Sequence, residues 1–192
     1  MSTIGNTILS EIEQEKAWVE AARRDPQAFQ NLFDKYHDRI LNYALRRTCN
    51  LHLAQDITAS AFMKALDNIH KFTWRGVTFS AWIYRIATNE INQNYRKIKR
   101  MTPLTPEISR GVTDDVRSDN SVLRREEMQV QKAKMKRVYA ALAKLKPRYQ
   151  TVLSLRYFEN KSIKEIAEIL ELPENTIKTH IRRGLIQMRE QL

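Results

Sequence analysis

The sequence predicts an all-α protein of two small helical domains, at residues 1–100 and 131–192, joined by a flexible linker at 101–130. Three observations carry this reading. The chain of 192 residues holds only four glycines and five prolines and has few alternating β-branched runs. Its apolar residues recur instead at three- and four-residue spacing, the period of helices with one buried face. That period lapses between Met101 and about Ser121, where Thr, Pro, Asp and Ser crowd together as in a linker. Charge is also unevenly spread: the net +11 divides into −1 over residues 1–70, +6 over 71–100, −2 over 101–131 and +8 over 132–192. Two cationic blocks separated by a mildly acidic stretch point to a polyanion contacted at two places. Basic character serving solubility alone would have no reason to concentrate.

In chain order, a first helix is expected over residues 12–24, ending before Asp25-Pro26 because the residue preceding proline is driven out of the helical region. A second runs from about Pro26 to Cys49, with Phe29, Leu32, Phe33, Tyr36, Ile40, Leu41 and Ala44 as its apolar stripe. A third, from about Leu53 to His70, buries Ile57, Ala61, Phe62, Ala65, Leu66 and Ile69. Residues 71–79 break the period around Gly76 and read as an aromatic-rich loop. A fourth helix follows from about Ser80 to Arg100, carrying Trp82, Ile83, Ile86, Ala87 and Ile91 inward. Asn89, Asn92, Gln93, Asn94, Arg96 and Lys97 are left as a polar and basic face.

Residues 72–97 therefore interleave aromatic rings with cations and amides. Proteins that hold single-stranded nucleic acid use this chemistry, each base stacking on a ring for about 1–3 kcal/mol. Trp82 lies on the apolar stripe and reads as core. Trp74 stands beside Arg75-Gly76 in the loop, where burial is less natural, and is the candidate platform.

Beyond the linker a long polar helix starts near Val122 and ends at Lys144-Leu145-Lys146-Pro147, and Arg148 to Phe158 forms another. Ser162-Ile163-Lys164-Glu165 has the form of a capping box, which marks a helix start. Ile163, Ile166, Ala167 and Leu170 give that helix its apolar face. Glu171-Leu172-Pro173 interrupts it, and proline suits the opening turn of the next helix. There Ile177, Ile181, Leu185 and Met188 form the stripe, while Lys178, Thr179, Arg182 and Arg183 share another face. Two helices about a tight turn, the second presenting basic and hydroxyl side chains, match the helix-turn-helix, whose second helix enters the DNA major groove. The alternative is a helical hairpin with a solvated basic face. Glu171 stands where such turns usually carry glycine, and a left-handed backbone there would cost about 1 kcal/mol.

Other classes find little support. Cys49 is the single cysteine, so no intrachain disulfide forms and a reducing compartment is expected. Cys49 and His52 have no second pair at zinc spacing, so no metal site is expected. Met1 to Lys16 lacks the basic-then-apolar form of a signal peptide. No apolar run approaches the roughly 20 residues of a membrane span, and a cytoplasmic protein without membrane insertion follows.

Taken together these motifs resemble the bacterial RNA polymerase sigma factors of the sigma-70 family, in the compact extracytoplasmic-function group. Ala28-Phe29, Leu32-Phe33 and Tyr36 look like the start of that family's second domain, and Ala54-Gln55-Asp56-Ile57-Thr58 with Phe62 and Lys64-Ala65 resembles its polymerase-docking helix. Phe79-Ser80-Ala81-Trp82-Ile83-Tyr84-Arg85-Ile86-Ala87-Thr88-Asn89 is similar to its Phe-x-x-Trp-Leu-Tyr-Arg-Ile-Ala-x-Asn signature. Leu153-x-Leu-Arg-Tyr-Phe and Glu165-Ile166-Ala167 through Thr176-Ile177-Lys178-Thr179 resemble its promoter-reading module. The resemblance implies a non-enzymatic subunit without cofactor that directs core RNA polymerase to promoter DNA, under the control of an anti-sigma factor. It implies that Asp56 and Ile57 meet the polymerase and that Trp74, Arg75 and Asn89 face the melted minus-10 element. It places Lys178, Thr179, Arg182 and Arg183 in the minus-35 groove. Two departures stand out: Ala59-Ser60 replaces the family's usual Gln-Glu, and Glu171 replaces the turn glycine.

Two other readings fit parts of the chain. A stand-alone regulator would bind operator DNA without polymerase. A helical metal phosphohydrolase would use His37-Asp38, or His52 with Asp56 at four-residue spacing; lone His and Asp on helix surfaces are more often simply solvated.

Overall fold

The computed structural model describes residues 3–74, 77–101, 135 and 137–192, with side-chain environments given from residue 11 onward and as far as residue 98 on the fourth helix. The linker at 101–130 therefore lies outside the described residues beyond its first position, as does Arg75. Among the described residues every regular element is helical.

The N-terminal module is a bundle of α1 (Thr3–Arg24), α2 (Gln30–Thr48), α3 (Leu51–Asp67) and α4 (Phe79–Met101). Asp25 caps a 3-10 turn over Pro26–Phe29, its carboxylate accepting from the Gln27 amide, before α2 begins. Cys49, left-handed at φ 51°, ends α2, and the Asn50 side chain caps α3 through the Leu53 amide. These caps satisfy amides that a helix start leaves without partners. The core is built from Phe29, Leu32, Ile40 and Tyr43 of the first half against Ile57, Phe62, Phe79 and Ile83 of the second. Edge-to-face contacts of Phe29 with Phe62 and Phe79, at ring-centre distances of 6.4 and 6.3 Å, hold the 3-10 turn that leads into α2 against α3 and α4.

The C-terminal module begins at α5 (137–143), which the sequence Lys144-Leu145-Lys146 ends. Pro147 opens α6 (Pro147–Leu153), which widens over Ser154–Phe158 into a π turn. The expected capping box exists in full: the Ser162 hydroxyl accepts from the Glu165 amide and the Glu165 carboxylate accepts from the Ser162 amide, starting α7 (Ile163–Leu170). Glu171 is left-handed at φ 54°, and α8 (Glu174–Arg189) follows directly after Pro173.

On α8 the buried positions are Ile177 and Gly184, while Leu185, expected on the stripe, is 42% exposed. The reason is distance. A Cβ on Gly184 would stand 3.1 Å from Leu153 Cδ1 and 3.2 Å from Tyr149 Cβ, so α8 lies against α6 as closely as a glycine allows.

The two modules are not separate in space. Arg46 of α2 and the Tyr84 hydroxyl of α4 both donate to the Glu159 carboxylate that follows the π turn. Arg47 donates to the Thr151 hydroxyl, Lys161 donates to Ser80 at 2.7 Å, and Arg85 donates to Glu171 at 2.7 Å and to the Glu168 carbonyl. α4 therefore packs against α7, and the end of α2 against the π turn.

Candidate nucleic-acid interface

Helix α8 is held by its apolar side, with Ile177 buried and Ile181 and Met188 packed partly against the core. That leaves Lys178, Arg182 and Arg183 exposed, so three of the four residues singled out on this helix are free cations or nearly so. Lys178 lies 3.9 Å from Glu174, one turn earlier. Thr179 is half-buried, and its hydroxyl donates to the Asn175 carbonyl at 2.8 Å, leaving its oxygen only as an acceptor. Arg183 stands at the edge of this face, near Tyr149. Sequence reasoning missed Glu174 and Asn175, both exposed in the first turn of α8. Helix-turn-helix proteins contact base edges with the N-terminal residues of this helix, so their position carried the signal.

On the opposite flank of α8, His180 faces Tyr149 with ring centres 5.7 Å apart. Burial first, then the Arg148 and Arg183 cations, holds the imidazole below its ordinary range, so it is neutral at pH 7.

In the N-terminal module Asn89 is exposed on α4, and its neighbours Asn92 and Asn94 are half-buried. Thr88 and Glu90 on either side are buried. Glu90 accepts from Ser60 at 2.8 Å and from Lys64, both on α3. Ser60, part of the Ala59-Ser60 departure noted above, thus ties α3 to the helix that presents Asn89.

Trp74 is half-buried rather than free. Its ring meets Phe72 edge-to-face at 5.2 Å, and the Lys16 ammonium lies 5.8 Å from its centre. Its indole Nε1 is enclosed without a hydrogen-bond partner. The loop before it is pinned by Arg23, which donates to the Phe72 carbonyl. One ring edge is spent on the core, which the sequence did not anticipate because Phe72 also turns inward.

Ile57 is buried, as its place on the apolar stripe of the third helix predicts and not at the surface that the resemblance implied for it. It is 1% exposed and belongs to the core, whereas Asp56 is exposed. The solvent face of α3 runs through His52, Asp56, Ala59 and Met63, spaced four, three and four residues apart, with Met63 66% exposed. The adjacent pair Asp56-Ile57 straddles the boundary between that face and the core, since successive helical residues lie about 100° apart.

Fold and site together define a helical protein with a C-terminal helix-turn-helix bound to a second, basic helical module. Two family models match it: Sigma-70 region 2 over residues 32–101, and Sigma-70 region 4 over residues 135–188. The chain is 35% identical over 177 residues to the ECF RNA polymerase sigma factor SigW of Bacillus subtilis, spanning 88% of this chain and 90% of that one. It is 30% identical over 182 residues to the RNA polymerase sigma-H factor of Pseudomonas aeruginosa, spanning 90% of each. The chain belongs to the sigma-70 family, in its extracytoplasmic-function group. Among solved structures the fold is shared with CnrH in complex with the cytosolic domain of CnrY, at TM-score 0.67 and 19% identity over 92% of this chain and 95% of that one. It is shared also with RpoE in complex with the anti-sigma factor NepR from Bartonella quintana, at TM-score 0.63 and 18% identity over 85% and 95%. No described helix is long and apolar enough to cross a membrane.

Proposed function

We propose that this chain is a promoter-specificity subunit: it binds core RNA polymerase and directs it to promoters, one module gripping duplex DNA and the other capturing the strand once it is unpaired. The carrying observation is the exposed face of α8, where Lys178 and Arg182 project from a helix clamped on its other side by Ile177 and Gly184. Cations presented on a rigid helix suit phosphate and guanine edges in the major groove.

In this reading Lys178, Thr179, Arg182 and Arg183 engage the minus-35 element, with Glu174 and Asn175 added at the leading turn. Asn89, Trp74 and Arg75 engage the melted minus-10 strand, and Asp56 with the rest of its face meets the polymerase. Strand separation then needs no catalytic residue. Binding energy to unpaired bases drives it, and the polymerase performs the chemistry. Two structural neighbours are complexes, and RpoE's partner is an anti-sigma factor, which supports a regulatory partner of the same kind here.

The test is reconstituted transcription. Core polymerase with this protein is expected to initiate promoter-dependent RNA that core alone does not make; absence of such RNA overturns the reading. A stand-alone regulator would shift promoter DNA tightly without core, whereas this chain is expected to bind it weakly when free.

A further inference from the structure

The seam between the two modules holds a cavity of about 280 Å³. Thr88 and Asn92 of α4 form one wall, Arg148 and Thr151 of α6 another, and His180 of α8 a third. Leu170, at the end of α7, and Leu172, in the turn beyond it, give the cavity an apolar side. Successive turns of α8 set His180 about 200° away from Lys178 and Arg182, so the cations offered to the major groove make no use of this space.

The cavity is cationic. Arg148 lines it directly. Behind Thr151 stands Arg47, 2% exposed, which donates to the Thr151 hydroxyl through Nη1 while its Nε and Nη2 are enclosed without a partner. Arg183 approaches along α8, close enough for its charge to act on His180. Among the described residues none of these three guanidinium groups is ion-paired, and no carboxylate lines the cavity. Glu171, between Leu170 and Leu172 in sequence, is turned to Arg85 at 2.7 Å. A buried cation without an acceptor is costly, and an anion brought beside it reduces that cost.

The donors of the lining divide into spent and free. The Thr151 hydroxyl donates to the Pro147 carbonyl at 2.9 Å and the Thr88 hydroxyl to the Tyr84 carbonyl at 2.7 Å. Open to a ligand are the Arg148 guanidinium, the half-buried Asn92 amide and His180, whose Nδ1 is enclosed with no partner. Burial, then Arg148 of α6 and Arg183 of α8, keep that imidazole neutral; the α4 and α7 walls, Thr88, Asn92 and Leu170, bring no charge to it. A dianion would offset both cations and favour the imidazolium, in which both ring nitrogens donate. Guanidinium, amide and imidazolium around one space are the donors that phosphate takes. At roughly 30 Å³ per water the cavity has room for about nine, and the four oxygens of a phosphate take under half of it. The remainder borders Leu170 and Leu172 and suits an organic substituent.

We propose that this cavity is a binding site for a small phosphomonoester, its phosphate held by Arg148, Asn92 and His180 and its organic part against Leu170 and Leu172. The site does not rest on the function proposed above, and its test needs neither polymerase nor promoter.

The free full-length chain is titrated with inorganic phosphate, with adenosine monophosphate and with a short DNA duplex, chloride setting an equal ionic strength in every sample. The chain has four histidines, so the imidazole C2 proton resonances can be followed singly, and His180→Gln identifies the one at the cavity. Adenosine monophosphate is expected to raise the His180 midpoint by about half a pH unit or more, with His37, His52 and His70 unmoved. It should do so at lower concentration than inorganic phosphate, and bind more tightly as pH falls through that midpoint. Arg148→Ala alters an exposed side chain and should leave the circular dichroism unchanged while weakening the nucleotide by about tenfold or more. Asn92→Ala should weaken it to a lesser degree. The site is overturned if no probe moves His180, if chloride alone moves it equally, or if the movement persists undiminished in Arg148→Ala. Inorganic phosphate acting as readily as the nucleotide means an adventitious ion only and overturns the ligand class. A shift produced by the duplex alone makes the cavity a seat for the DNA backbone and overturns the proposal likewise.

Discussion

Replacing Glu171 by glycine sets two effects of known size against each other. Glu171 holds a left-handed backbone at φ 54°, ψ 42° between α7 and α8, a conformation that costs a residue with a Cβ about 1–2 kcal/mol. Glycine removes that cost but adds freedom to the unfolded chain worth about 0.4–1 kcal/mol, leaving a net gain of roughly 0.5–1 kcal/mol. The substitution also deletes the pair with Arg85, 2.7 Å long in the folded chain. The Glu171 side chain is 70% exposed, so solvent screens this pair and its contribution falls in the range of about 0–1 kcal/mol. Glu171→Gly should therefore be close to neutral in the intact chain. In an Arg85→Ala background, where the pair is already gone, it should stabilise by about 0.5–1 kcal/mol, raising Tm by roughly 1–4 °C for a chain of this size. Thermal melts of the wild type, both single variants and the double variant complete the cycle and isolate the pair. If Glu171→Gly lowers Tm in both backgrounds, backbone strain does not govern this turn and the argument fails.

Gly184→Ala brings a Cβ within 3.2 Å of Tyr149 Cβ, which is fixed to the α6 backbone and yields little. Overpacking of about 1–3 kcal/mol should outweigh the roughly 1 kcal/mol gained in helix propensity, a net loss of around 1 kcal/mol in urea unfolding; a gain would mean that α8 moves freely on α6. Arg182→Ala should weaken minus-35 duplex binding by about 1–3 kcal/mol and relax preference at one base pair if it reads a base. A uniform loss across promoter variants would make it a phosphate contact. For His180 the folded imidazole is held below its ordinary range, so between the folded and ordinary values the unfolded chain binds more protons. Its contribution to stability is therefore complete above about pH 7.5 and is lost as pH falls through 6.5 toward the folded value. Melts from pH 8 to 5.5 should show a decline that His180→Asn flattens, and an equal slope in both proteins would remove His180 from the account.

Much of the fold was legible because its signals were local. The Ser162–Glu165 box and Pro173 fixed the helix-turn-helix, and periodicity located α2 to α4 to within a few residues. The stripe on α8 was misassigned at Leu185 because hydropathy rewards large apolar residues, whereas what seats this helix is the absence of a side chain at Gly184. Ile57 was legible as core from the apolar stripe of the third helix, and only the family resemblance set it on the surface beside Asp56, from which helix geometry separates it by about 100°. Trp74 was expected to stand free in its loop, but a ring half-buried against Phe72 has no signature in composition. The seam escaped entirely. Glu159 and Arg46 stand 113 positions apart in the sequence, and a lone carboxylate or guanidinium gives no periodic sign of being buried. The tie between Ser60 and Glu90 was invisible for the same reason.

The π turn over Ser154–Phe158 has a consequence for how this sequence can change. A turn of this type carries one residue more than an α-helix would over the same span, so the helix absorbs that residue there while the chain beyond keeps its direction. Deleting one of the five would let the segment rewind as ordinary helix over the same span, with Glu159 kept in reach of Arg46 and Tyr84, whereas a deletion elsewhere in α6 would turn everything downstream by about 100°. The capping box at Ser162 and the hairpin beyond it would still form from their own local signals. Single-residue deletions within the turn should therefore be tolerated where the same loss elsewhere in α6 is not.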